Sequence, residues 1–221
     1  MPTQTPFSES IKTATVYLTQ IDPVMASTIE LIGPCTLQPD PDVFEALVDA
    51  IISQQISVKA ADAIMARIRA ALSDGLVTPD TLMPFDVDKL RTLGLSPQKA
   101  RYIRNLLEHI ASGELDLVQL TMLDDEAVIS KLVEVKGIGR WTAEMILIFS
   151  LERLDVLPVD DLGFVEGVRE AYALPARPTR KEMLERGEQW RPYRTIATWY
   201  MWAFRRHAQQ NKRERTRIVS L

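Results

Sequence analysis

An all-α chain is predicted by three observations. Apolar residues recur at helical spacing along most of the length, cap-and-proline or cap-and-glycine signals punctuate those stretches, and no run alternates apolar and polar residues as a half-buried strand does. Asp40-Pro41 reads as a cap and a first-turn proline, and the following VFEALVDAIISQQ places Phe44, Leu47, Val48, Ile51 and Ile52 on one face. Ser57 caps VKAADAIMARIRAAL, whose Ala61, Ile64, Met65 and Ile68 share a face, with Gly75 expected to close it. Ser96-Pro97 repeats the signal before QKARYIRNLLEHIASG, where Ile103, Leu106, Leu107 and Ile110 form the buried stripe and Gly113 the stop. LDDEAVISKLVEV predicts a further short helix; VKGIGR interrupts it, and WTAEMILIFSLER resumes with Ala143, Ile146 and Leu147 stacked along one side. Asp161 stands as a cap before LGFVEGVREAY and Thr179 before RKEMLERGEQW, while YRTIATWYMWAFRRHAQ gives a last, aromatic-rich helix. At least seven helices are expected, without internal repeats or low-complexity linkers.

The chain has 221 residues, enough for one large domain or two small ones. Its 46% hydrophobic and 25% charged residues are those of a folded globular protein, and no apolar run approaches the roughly 20 residues of a membrane span. The single Cys35 excludes an internal disulfide, a four-cysteine iron–sulfur cluster and a cysteine-based zinc site, and two histidines, His109 and His207, leave little for a histidine metal site. MPTQTPFSES lacks the basic start and apolar core of a secretory signal, so the reducing cytoplasm is the expected location. The net charge is −4, yet residues 176–221 hold 12 Lys+Arg against 4 Asp+Glu, a balance of +8 that leaves −12 for the first 175 residues. Such asymmetry marks a surface for polyanions, with a solvated terminus in RRHAQQNKRERTRIVSL as the plainer reading.

VKGIGR is the strongest local motif. Gly137 and Gly139 let the backbone turn sharply between two helices and approach whatever lies outside, because neither carries a Cβ. The first amides of the second helix lack partners within it, and its dipole is positive there, so a phosphate oxygen is a natural ligand with Lys136 and Arg140 flanking. A structural turn alone would use the same residues.

The stretch LVEVKGIGRWTAEMILIFSLERLDVLPVDDLGF, residues 132–164, resembles the helix–hairpin–helix, Gly/Pro loop and aspartate core of the DNA base-excision glycosylases, most of all their 3-methyladenine DNA glycosylase II, or alkylation-repair, branch. IISQQISVKAA, GLSPQKARYI and WRPYRTIATWYMW agree with it, so the likeness runs from about residue 43 to 205. The resemblance implies a two-lobed all-α fold with an active-site cleft between the lobes and without the N-terminal β-domain of some members. The central lobe is expected over residues 41–154 and the second over 1–40 plus 155–221. It implies a monofunctional enzyme that flips an alkylated base, such as 3-methyladenine or 7-methylguanine, out of double-stranded DNA and hydrolyses its glycosidic bond. No cofactor is required, no iron–sulfur cluster is expected, and the enzyme acts as a monomer on DNA, without a membrane partner. A glycosylase for an oxidised, deaminated or mismatched base, and a DNA-binding module that has lost catalysis, are the competing readings.

By the same resemblance the catalytic carboxylate is Asp161, favoured over its neighbour Asp160, although either also serves as a helix cap. A carboxylate there stabilises the positive charge that develops on the sugar, and a base carrying a formal positive charge leaves with little acid assistance. Members that also cut the strand place a lysine two residues after the second hairpin glycine; here Trp141 stands there and has no amine to form a Schiff base. Trp141, Met145, Trp190 and Tyr193 are the base-pocket candidates, with Trp190 expected beside the aspartate and Trp199, Tyr200 and Trp202 expected in the core. Gln55 matches the side chain that fills the gap left by a flipped base, with Gln54 beside it; either amide alternatively satisfies the backbone of its own turn. Ser57, Lys59, Lys136, Gly137, Gly139, Arg140 and Thr142 are expected at the DNA backbone, and the carbonyls of Val133, Val135 and Ile138 at a monovalent cation.

Overall fold

The structure, a computed structural model, describes the backbone of residues 6–219 and side chains as far as Lys212, so the basic side chains from Arg213 onward lie outside the described residues. Among the described residues there are twelve α-helices, one 3-10 turn at Gln119–Met122 and no strand. In order the helices are α1 (Phe7–Ile21), α2 (Pro23–Ile32), α3 (Val43–Ser53), α4 (Val58–Ala71), α5 (Pro79–Leu82), α6 (Val87–Thr92), α7 (Pro97–Ala111), α8 (Asp125–Glu134), α9 (Arg140–Phe149), α10 (Leu162–Ala171), α11 (Arg180–Glu188) and α12 (Arg194–Val219). The chain divides into two compact units, Pro39–Leu151 and Met1–Gln38 with Glu152–Leu221.

The first unit is built from α3 to α9. Its core holds Leu47, Val48, Ile51 and Ile52 of α3, Ile68 of α4, Ile103, Leu106 and Leu107 of α7 and Leu147 of α9. The start of α3 differs from the expectation. Pro41 stays ahead of the helix, and Asp42 is the cap, accepting from Glu45 N at 2.9 Å. Asp40 accepts from Asp42 N at 3.1 Å instead. α4 also ends earlier than expected, at Ala71, because Leu72 turns to extended backbone before Gly75 is reached. Ser57 and Ser96 cap α4 and α7 as the sequence predicts.

The second unit packs α12 against α1, α2 and α10. Its buried side chains include Leu18, Met25, Phe164, Val168, Trp190, Ile196, Tyr200 and Met201. Gly167 makes the contact of α10 with α12 possible: a Cβ there would lie 2.3 Å from the Met201 carbonyl oxygen, closer than carbon and oxygen can approach. That close approach places the N-terminus of α10 against the middle of α12.

Asp22 joins three parts of this unit. Its carboxylate caps α2 by accepting from Val24 N (2.9 Å) and Met25 N (3.2 Å), and it also accepts from the Tyr172 hydroxyl and the Trp190 indole (3.1 Å). Burial alone would raise its pKa, but the Tyr172, Trp190 and backbone hydrogen bonds together hold it below the ordinary 3.8. The Asp22 contribution to stability is therefore complete at neutral pH and is lost as pH falls from that ordinary value through the lower folded-state value. Replacing Asp22 by alanine removes the cap and strands two buried donors. We expect a loss of roughly 3–5 kcal/mol in denaturant unfolding at pH 7 that becomes smaller under acid; an equal loss at both pH values would contradict an ionised Asp22.

Candidate active site

α8 and α9 form the hairpin. α8 ends as Val135 turns to φ −75, ψ 116, and Gly137 adopts φ 103, a conformation strained for residues with a Cβ. Space demands glycine as well, since a Cβ at 137 would lie 2.3 Å from Cγ of the Tyr102 ring on α7. Asn105 of α7 accepts from Lys136 N (2.8 Å), and the Gln54 side-chain amide donates to the Gly137 carbonyl (2.8 Å). The loop is thus held from two sides. Gly139 precedes α9 without a side-chain cap, and Gly139, Arg140 and Trp141 are all exposed, so the start of α9 lies at the surface.

The flanking side chains divide. Lys136 is exposed. Arg140 is exposed too but bonds to Glu126 and, at 3.1 Å, to Glu144; the Glu126 hydrogen bond heads the causes that raise its pKa further. Thr142 differs from the expectation of a backbone contact: it is 5% exposed, on the inner side of α9 with Ala143 and Ile146, and has almost no surface to offer a phosphate.

A groove of about 890 Å³ lies among α3, α4 and α9. α3 and α9 run in opposite directions along it. Gln54 after α3 bonds to Gly137 ahead of α9, whereas Asp40 N ahead of α3 donates to the carbonyl of Phe149, the last residue of α9, at 2.7 Å. Trp141, 47% exposed, and Met145 one turn further line one wall. Gln55 stands in the groove lining with φ 57 and an exposed side chain, followed by exposed Ile56 and Val58. Gln54, also in the groove lining, donates its side-chain amide to the Gly137 carbonyl and so ties the turn to the hairpin. Ser57 caps α4, accepting from Ala60 N at 3.3 Å, and Lys59 is exposed in its first turn.

Asp161 belongs to the other unit. It caps α10, and its Oδ1 accepts from Phe164 N (2.6 Å) and from the Trp202 indole Nε1 (2.7 Å). Two N–H donors at the start of a ten-residue helix fix its orientation. Asp160 points elsewhere: it is exposed and paired with Arg180 of α11.

The two tryptophans exchange the places expected of them. Trp190 has no exposed surface; it packs edge-on against Phe164 (centroids 6.2 Å apart) and donates to Asp22, so it is a core residue and not a base platform. Trp202, expected in the core, is half-buried and holds Asp161. The signal for it is Gly163, where a Cβ would lie 3.1 Å from Asp161 Oδ1 and 3.4 Å from Trp202 Cδ1. Tyr193 is partly exposed and meets Tyr17 edge-on at 5.3 Å. Replacing Trp202 by phenylalanine keeps the aromatic bulk and removes the indole donor. Excision is expected to slow by about 10- to 100-fold with melting temperature little changed, and single-turnover excision with a melting curve checks both.

Residues 48–192 match the HhH-GPD superfamily base excision DNA repair protein family. The chain belongs to this family. The HhH-GPD match spans the α8–α9 hairpin and Asp161 and stops short of Trp202. Among relatives, the chain is 35% identical over 208 residues to the DNA-3-methyladenine glycosylase 1 of Schizosaccharomyces pombe, covering 92% of this chain and 91% of that one. Its fold is similar to that of the 3-methyladenine DNA glycosylase Mag1 of S. pombe in complex with abasic DNA, with TM-score 0.75 and 35% identity over 86% of this chain and 95% of that one. It is also similar to a DNA-3-methyladenine glycosidase of Bacillus halodurans, with TM-score 0.76 and 37% identity over 93% of this chain and 91% of that one.

Proposed function

We propose that the chain is a monofunctional DNA glycosylase that flips alkylated purines, such as 3-methyladenine and 7-methylguanine, out of double-stranded DNA and removes them as an early step of base excision repair. The observation that carries this reading is the Asp161 carboxylate, fixed at a helix N-terminus by the Phe164 amide and the Trp202 indole in a chain of the HhH-GPD family.

The chemistry follows from charge. Alkylation at N3 or N7 gives the purine a formal positive charge; as the C1′–N bond breaks, its electron pair leaves with the base and neutralises it, while positive charge moves to the sugar. Asp161 stabilises that cation, and water adds to C1′ as its proton passes to the carboxylate or to solvent. The product is an abasic site. Trp141, two residues after Gly139, has no amine for a sugar adduct, so this reading leaves the strand uncut.

Within Pro39–Leu151 this reading uses the hairpin, the Gln55 wedge with Ile56 and Val58, and the Trp141–Met145 wall. The open amides of α9 with Lys136, Ser57 and Lys59 grip phosphates, a contact that reads no sequence. The carbonyls of Val133, Val135 and Ile138 are hard oxygen donors where the backbone leaves α8, a set that suits sodium or potassium; bound there, the ion would supply positive charge to the same phosphates. The chain acts as a monomer and needs no other cofactor in this reading, in the cell compartment that holds the chromosomal DNA.

The test is incubation of methylated duplex DNA with the purified protein and identification of released bases by mass spectrometry. Free 3-methyladenine and 7-methylguanine with an alkali-labile but otherwise intact strand are expected. Release of only oxidised or deaminated bases from a wider panel, or of none, would contradict the proposal.

A further inference from the structure

We infer that Asp49 is a specificity-determining residue that favours alkylated guanine over alkylated adenine, by accepting hydrogen bonds from the N1–H and N2–H2 edge of a base stacked on Trp141. The inference rests on the proposed function and names a substrate preference for its base pocket. Neither the sequence motifs nor the chemistry of Asp161 uses this residue.

The position follows from the register of the groove. The Gln54–Gly137 bond sets the end of α3 level with the start of α9, and the Asp40–Phe149 bond sets the start of α3 level with the end of α9. Asp49, about two-thirds of the way from Asp40 to Gln54, therefore stands level with Trp141. Asp49, Trp141 and Met145 all line the same groove, and Asp49 is exposed to it. A base held in the groove beside Trp141 lies at the level of Asp49.

The electrostatics fit a donor-rich, cationic guest. Asp40, Glu45, Asp49 and Asp62 line the groove against one cation, Arg69, which is itself paired with Glu45. Carboxylates repel DNA phosphates but attract a base with a formal positive charge. The Asp49 carboxyl is held above the usual range because the groove walls strip water from it and Asp62 and Glu45 lie near, outweighing Arg69 and the Ser53 hydrogen bond. A carboxylate in that position gains more than a fully hydrated one from two N–H donors.

The purine edges differ in what they offer. Guanine presents adjacent donors, N1–H and N2–H2, that match the two oxygens of one carboxylate. Adenine presents the N6 amine beside the N1 acceptor, whose lone pair would face a carboxylate oxygen. A matched bidentate pair discriminates by about 1–3 kcal/mol, or roughly 5- to 150-fold.

The test is single-turnover release of 7-methylguanine and 3-methyladenine from methylated duplex DNA by the wild-type protein, Asp49→Asn and Asp62→Asn. Asp49 projects from the surface of α3, so the amide disturbs no packed contact, and a melting curve for each variant checks this. With Asp49→Asn, kcat/KM for 7-methylguanine is expected to fall about 10- to 100-fold further than that for 3-methyladenine. Asp62→Asn removes the same charge and is expected to leave the ratio unchanged. An unaltered ratio in Asp49→Asn, an equal fall for both bases, or an equal shift with Asp62→Asn would overturn the inference alone. A wild-type protein that releases neither base would overturn the proposed function and this inference with it.

Discussion

Asp161→Asn is expected to lower excision of 3-methyladenine by about 1000-fold while affinity for duplex DNA changes by no more than about 3-fold. The asparagine occupies the same space and can still accept from Phe164 N and the Trp202 indole, so cap and orientation survive. What disappears is the carboxylate's negative charge, which stabilises the positive charge that the departing base leaves on the sugar. Because the ground-state complex carries little charge at C1′, the loss falls on the chemical step and not on binding. Asp160→Asn is the control: its carboxylate faces Arg180 on the surface, and its removal is expected to leave excision near the wild-type rate. If Asp160→Asn is inactive and Asp161→Asn active, the assignment of the pair is reversed. Quench-flow excision and equilibrium DNA binding measured side by side separate these outcomes.

Gly137→Ala has the second large effect, on DNA binding. Position 137 combines φ 103 with the Tyr102 ring directly where a Cβ would stand, so alanine forces both the backbone and α7 to move. The Lys136 amide and the Gly137 carbonyl, anchored on Asn105 and Gln54, would shift with them, misaligning the first amides of α9. We expect affinity to fall at least about 10-fold, by the same factor for duplexes of unrelated sequence, because the contact is to phosphate. The salt dependence of binding should flatten with it. Binding titrations on two unrelated duplexes at two salt concentrations check this, and a sequence-selective loss would contradict a phosphate role for the hairpin.

How much of the molecule was legible in the sequence depended on the range of the interaction involved. Caps are local chemistry, and Ser57, Ser96, Asp161 and Thr179 stand where their helices begin. The hairpin was legible for the same reason, since a glycine at φ 103 is a property of one residue. α1 and α2 were not anticipated even though Asp22-Pro23 carries the same cap-and-proline signal, because the roles of Asp22 as partner of Tyr172 and Trp190 bridge some 150 residues. At α3 the sequence signal was Asp40-Pro41, whereas the cap stands two residues later at Asp42 and the Asp40 amide is bonded to the Phe149 carbonyl, a contact across more than 100 residues.

The same rule divides the site. The family resemblance proposes Asp161 and Trp141 because both lie within a short stretch of the hairpin it matches. Gln54 was ambiguous because its partner is a carbonyl 83 residues away. The exchange of Trp190 and Trp202 has the same origin. Trp199, Tyr200 and Trp202 form one aromatic run, and only the approach of α10 to α12 at Gly167, with the space kept at Gly163, determines which ring reaches the aspartate. Asp49 carries no motif at all, and its candidacy appears only when α3 and α9 are laid antiparallel beside a groove.

The most direct measurement of the central claim, that the Asp161 charge stabilises a cationic sugar, compares binding of two abasic-site mimics in otherwise identical duplexes. One carries a neutral tetrahydrofuran ring and the other a pyrrolidine ring that is protonated at neutral pH. The wild-type protein is expected to prefer the cationic ring by about 100-fold or more, and Asp161→Asn to reduce that preference to within a few-fold. Equal affinity of the wild-type protein for both rings, or an undiminished preference in Asp161→Asn, would contradict it.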